Sequence, residues 1–172
     1  MSTRKLAQLS MLSAACVAGR VAFQFIPNFQ PMTAILLFVV FYLGMIEGLI
    51  VMSLSLVISS FYFGMGPWVI GQWLSYGGIF LLFTLCRQSS YFRTSYWLKG
   101  IFFFLAGFIY GGLMAIYDTV LYQLPQPLVY YIQGISFDLS HAIGNLLFYL
   151  IFFPIIQRLV KQFGGKNEKD YL

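Results

Sequence analysis

Asp138, His141 and Asn145 follow one another at steps of three and four residues. On an α-helix that spacing sets an acid, an imidazole and an amide on one face. Such a trio can hold a polar ligand by hydrogen bonds, pass protons, or give a single axial ligand to a metal inside a bound cofactor. His141 is the only histidine in the chain, so a metal centre built from several protein ligands is not expected. A hydrogen-bonded wall histidine is the preferred reading, with the axial ligand as the alternative.

Arg20, Asp118 and Asp138 are further charges embedded in apolar sequence. A charge at membrane depth is costly unless paired or hydrated, so each is a candidate for function. Two readings of Arg20 stand side by side. It pairs with Asp138 or Asp118 to hold a bundle together, or it faces a ligand. Glu47 reads as a solvated turn residue. The chain has no GxxxxGK[ST], GxSxG or HExxH sequence, so it is not expected to hydrolyse ATP or to act as a hydrolase itself. Cys16 and Cys86 lack CxxC spacing and read as small packing residues.

The elements that must carry these residues are membrane helices. Of the 172 residues 60% are hydrophobic and only 9% charged, whereas a soluble domain carries roughly 25% charged residues to hold water. Six apolar segments are expected, at about 6–26, 32–45, 49–63, 69–85, 96–117 and 128–159. The second and third are short, so one is tilted, broken or re-entrant. The fold expected is all-α: a single integral membrane domain over 1–172, a six-transmembrane-helix bundle with short outer loops. Arg4 and Lys5 precede an apolar run as in a signal peptide, but Arg20 interrupts that run and further spans follow. An uncleaved first helix is therefore expected.

Basic residues set the orientation. Arg4 and Lys5, then Arg87, Arg93 and Lys99, then Arg158, Lys161, Lys166 and Lys169 fall on one side of a six-span chain. The positive-inside rule makes that side cytoplasmic, with both termini. The net charge of +5 thus reports topology rather than a nucleic-acid partner. The opposite loops, 27–31, 64–71 and 118–127, contain no Lys or Arg and are rich in Pro, Gly, aromatics and amides. An interfacial aromatic belt would explain them; a lidded pocket opening outward is preferred.

Small residues mark close packing. Ser10, Ala14, Ala18 and Ala22 recur every four residues and form one stripe on the first helix, widened by Ala15 and Gly19. That stripe is long enough to serve a partner subunit. Gly107 and Gly111 form a GxxxG pair, extended by Ala106 and Gly112, for which internal packing is the better reading.

The run GRVAFQFIPNFQPMTAI (Gly19–Ile35) and the run SSFYFGMGPWVIGQW (Ser59–Trp73) resemble the substrate-binding S-component of energy-coupling factor (ECF) transporters. These are the vitamin-importing branch of the ABC family, and the similarity is greatest to the subgroup assigned to cobalamin uptake. Ala14 and Ala18 match the family's AxxxA element, and the likeness covers essentially the whole chain. It implies a subunit that captures a vitamin in an outward-facing cavity and docks through helix one onto a transmembrane scaffold subunit. Two cytoplasmic ATPases drive that scaffold, and the S-component topples in the bilayer to release its ligand. No cofactor of the chain's own is implied; cobalamin is the transported ligand.

A corrinoid needs a wide site lined with aromatics and amides. Asn28, Gln30, Trp68, Gln72, Trp73, Tyr76, Tyr122 and Gln123 meet that description, joined by Arg20, Asp138, His141 and Asn145 as substrate-binding candidates. The same set would suit riboflavin, folate or a queuosine precursor. Two other classes remain open: an integral-membrane enzyme acting on lipid through the Asp138, His141 and Asn145 face, and a scaffold that binds only other helices.

Overall fold

A computed structural model describes residues 1–163; Lys166 and Lys169 lie outside them. The described chain forms seven helices: α1 (Thr3–Ala22), α2 (Met32–Tyr42), α3 (Met45–Phe63), α4 (Trp68–Gln88), α5 (Ser90–Thr94), α6 (Tyr96–Tyr122) and α7 (Pro127–Phe163). Each of the six expected segments contains a helix, the first ending short at Ala22 and the second at Tyr42, and α5 is an added turn of helix between the fourth and fifth. Four of the helices, α3, α4, α6 and α7, are long and apolar enough to cross a membrane, as a membrane protein requires.

The breaks between helices have local causes. Ser2 caps α1 by accepting a hydrogen bond from the Lys5 amide (3.3 Å). Gly44, at φ 117°, lets α2 turn directly into α3, and Gly64, at φ 92°, ends α3. Ser95 caps α6, and Gln123 ends it in the left-handed region at φ 51°. Because α6 runs on to Tyr122, Asp118 is its last full turn rather than the first residue of a loop. Likewise Trp68 to Gly71 are the opening turn of α4.

The short second segment is the centre of the molecule. Every residue of α2 is buried except Ile35 and Tyr42, which are half-buried, so it has no face for lipid. Its C-terminal carbonyls would be stranded in apolar surroundings. Arg87 of α4 reaches across and donates Nη1 to the carbonyls of Val40 (2.6 Å) and Phe41 (2.9 Å). Around α2 pack aromatic rings, among them Phe38 on Phe103 (5.0 Å) and Phe103 on Tyr149 (4.7 Å). With lipid as solvent this close packing, rather than escape from water, holds the bundle.

The long helices α6 and α7 form a close antiparallel pair. A Cβ added at Gly107 would lie 2.5 Å from the backbone nitrogen of Ala142, and one at Gly111 would overlap the Asp138 carboxylate. The GxxxG pair therefore packs inside the chain. On α1, by contrast, Ser10, Ala14, Ala18 and Ala22 are all exposed. Gly19 does not widen that stripe, because it lies under the Pro31 ring. Leu54, Ile58, Leu74, Leu81, Ile101 and Leu105 are exposed as well, apolar faces suited to lipid.

Basic side chains gather at the end of the bundle away from the α1–α2, α3–α4 and α6–α7 connections. There Lys5 pairs with Glu47, which belongs to the first turn of α3 and is not a free turn residue. Lys99 is buried between the rings of Phe41 and Phe153, each 4.9 Å away, and donates to the Arg93 carbonyl (2.9 Å). Arg87 and Lys99 thus hold the fold together at this end, beyond whatever they say about orientation.

Candidate functional site

At the opposite end the helices part around a cavity of about 540 Å³. Its floor begins with Thr33, in the first turn of α2. The Thr33 hydroxyl stands 2.8 Å from Nε2 of His141 on α7 and 3.0 Å from the hydroxyl of Tyr76 on α4. Tyr110 of α6 sets its ring edge-on to His141 (5.2 Å, 79°) and lies 5.0 Å from Tyr76. Three helices therefore meet at one hydrogen-bonded cluster and a fourth packs its Tyr110 ring against it, which fixes the rotamers of the floor.

One turn above His141, Asp138 lines the cavity while only 5% exposed. It can lie so deep because Gly111 of α6 has no side chain to displace it. Among the described residues no side chain or backbone group bonds its carboxylate. Higher on the wall, Asp118 accepts a hydrogen bond from the Tyr130 hydroxyl (2.9 Å). Across the cavity Arg20 donates to the hydroxyl of Ser59 (2.7 Å), and its guanidinium lies over Phe63 at 5.4 Å.

This settles one expectation. Arg20 forms no ion pair with Asp138 or Asp118; among the described residues its partners are the α3 hydroxyl and an aromatic ring. A hydroxyl and a π-face can hold the guanidinium because it is weakly hydrated. The axial-ligand reading of His141 also loses ground, since Nε2 is taken by Thr33 and Nδ1 is buried, with no partner among the described residues.

The mouth is organised by the α1–α2 connection. Asn28, at φ 56°, donates its amide to the Phe137 carbonyl (3.2 Å), and the Ser140 hydroxyl donates to the Pro27 carbonyl (2.7 Å). Phe29 turns inward, against Gly144 and 5.4 Å from Phe148. The segment is thus stitched to α7 along one side of the opening. On the other side, Tyr117 of α6 donates to the Pro67 carbonyl at the start of α4 (2.8 Å).

Of the residues singled out in the sequence, Arg20, Asn28, Gln30, Gln72, Tyr76, Asp138 and His141 line this cavity. Trp68, Trp73, Tyr122 and Gln123 do not. The first three are 42%, 45% and 54% exposed, and Trp73 donates its indole N–H to Ser53 (2.8 Å) on the outside of the α3–α4 pair. Those positions suit the interfacial aromatic belt. Asn145 is fully buried below the floor, and among the described residues neither atom of its amide has a partner.

Thr33, Tyr110, Tyr130, Tyr131, Gln133 and Phe137 also line the cavity and were not singled out. Most continue the α7 face upward: Tyr130, Gly134, Asp138 and His141 recur at steps of three and four. The periodicity that exposed the Asp138 face held the signal; aromatics near a helix end simply resemble a belt. What the assembled site can do is bind. It offers one buried carboxylate that no described group bonds, a guanidinium opposite, several hydroxyls and the rings of four tyrosines and Phe137.

Scans against protein-family models, curated proteins and solved structures gave no match for this chain.

Proposed function

We propose that the chain is the membrane-embedded substrate-binding subunit of an ECF-type importer. It captures a vitamin or vitamin precursor from outside and docks on a transmembrane scaffold subunit and two ATPases, where ATP hydrolysis occurs. On this reading the chain passes through a bacterial cytoplasmic membrane six times, α2 and its flanking connections making one short buried pass. Both termini and α5 face the cytoplasm.

The observation that carries the reading is the cavity of about 540 Å³ at the end of the bundle from which every described Lys and Arg but Arg20 is absent. Its volume lies within the usual range for small-molecule sites, and its mouth coincides with the side that the positive-inside rule makes external. The exposed stripe Ser10, Ala14, Ala18 and Ala22 supports docking, because small side chains let a partner helix approach closely. Cobalamin is the ligand favoured by the sequence resemblance. A whole corrinoid is larger than the cavity and would need the mouth to widen, whereas riboflavin, folate or a queuosine precursor offers a flat ring system that fits.

The test is calorimetric titration of the purified chain in nanodiscs with cobalamin, riboflavin, folate and a queuosine precursor. Sub-micromolar binding of one, with co-purification of a scaffold and two ATPases from the native membrane, is expected. Binding of none, together with no such complex, would remove the reading.

A further inference from the structure

Charge is distributed unevenly around the cavity. Asp138 and Asp118 stand on the α6–α7 side and Arg20 on the α1–α3 side. Arg20 is engaged by Ser59 and Phe63, with only its Nε left buried and unpartnered, and Asp118 by Tyr130. Among the described residues the Asp138 carboxylate is engaged by nothing, although the residue is only 5% exposed. A carboxylate so little exposed is costly unless something compensates it, and Arg20 makes no ion pair with it.

The floor below it is aromatic. His141, one turn deeper, is held by Thr33 through Nε2 and edge-on by the Tyr110 ring. The rings of Tyr76, Tyr110 and Phe137 line the same cavity. Aromatic faces carry negative charge density and attract cations, most strongly where water is excluded. Carboxylate and rings therefore favour the same sign of charge.

We infer that the ligand carries a cationic nitrogen group on a flat ring, and that this group sits against Asp138 between the tyrosines of the floor. The inference rests on the reading of this cavity as a ligand-capture site and narrows it. A neutral corrinoid offers only amide N–H groups to Asp138, whereas a small heteroaromatic or amidine-bearing cation neutralises it. The preference for charge comes from a buried ionic hydrogen bond, roughly twice as strong as a neutral one.

Benzamidine, benzamide and benzoate, which are near-isosteric and differ in charge, discriminate the idea. Each is titrated into the full chain in nanodiscs and followed by calorimetry. Benzamidinium is expected to bind at least about tenfold more tightly than benzamide, and benzoate most weakly. In Asp138→Asn the benzamidinium advantage should vanish while benzamide binding persists. Because the ranking is read on the unaltered protein, a misfolded variant would not obscure it. Equal affinity for benzamidinium and benzamide, tighter benzoate binding, or no benzamidinium binding at millimolar concentration would each overturn the inference. Whether the chain co-purifies with a scaffold and ATPases is a separate measurement, so the importer reading can fail while this one stands, and the reverse.

Discussion

The Asp138 carboxylate of α7 lies against the α-carbon of Gly111 on α6, in the space that any side chain at position 111 would fill. The glycine thereby sets how deep the acid can sit. A methyl group there would force the carboxylate up toward the mouth or part the two helices. Gly111→Ala is expected to weaken ligand binding at least about tenfold while leaving the helical content unchanged, since Ala is the better helix former. Gly107→Val, one turn away against Ala142, is expected instead to lower stability by about 1–3 kcal/mol through overpacking, seen as a lower Tm in detergent. Unchanged affinity in Gly111→Ala would separate Asp138 from binding.

Arg20 and Asp138 face one cavity without touching. Removing either should therefore leave no newly stranded partner, unlike the loss of one member of a buried ion pair, which costs about 3–5 kcal/mol. Arg20→Met is expected to fold and insert normally yet bind ligand more weakly, and Arg20→Met with Asp138→Asn should restore nothing. If the single variant fails to fold and the double variant recovers, the two side chains pair in the membrane after all.

Ala14 and Ala18 are exposed and one turn apart. Replacing both with Trp would hold any partner helix away from α1. Uptake in cells should be abolished while ligand affinity of the isolated chain stays within about twofold, since neither residue lines the cavity. Normal uptake would move the docking surface off α1.

Labelling can map the mouth. Cys16 is buried and Cys86 half-buried, so both are replaced by Ala before single cysteines are introduced. A cysteine at Gln30, beside the cavity, should react with an impermeant thiol reagent from outside and be slowed several-fold by ligand. One at Ser90, in α5, should react only after permeabilisation and show no protection. The opposite pattern would invert the topology.

How far the sequence could lead differs from residue to residue. Asp138 and His141 were legible together because helical periodicity fixes which residues share a face. The depth of Arg20 along α1 was legible too, but not its direction. Sequence spacing says how far along a helix a charge lies and nothing about the angle between helices, so pairing with an aspartate looked as good as facing a ligand, and the contact with Ser59 was not visible at all. Trp68, Trp73 and Tyr122 were misjudged for a related reason. An aromatic near a helix end can line a mouth or rest at the lipid interface, and only the packing of α3, α4 and α6 decides which. The burial of α2 could be suspected from its shortness and its lack of charged residues. Its capping by Arg87 could not, because that contact spans 47 residues of chain.

The meeting of Thr33 with His141 has an electrical consequence. His141 is the fifteenth residue of α7, and fourteen steps of about 1.5 Å put the cavity floor some 21 Å below the start of that helix. On the importer reading this floor stands below an outward-facing mouth, where part of the voltage drop across the bilayer would reach it. Moving one elementary charge through the whole drop is worth about 2.3 kcal/mol per 100 mV, and a cation descending to Asp138 would cross a fraction of that. Occupancy in an energised cell, negative inside, would then exceed occupancy in detergent, and collapsing the membrane potential would loosen the ligand without altering a single contact.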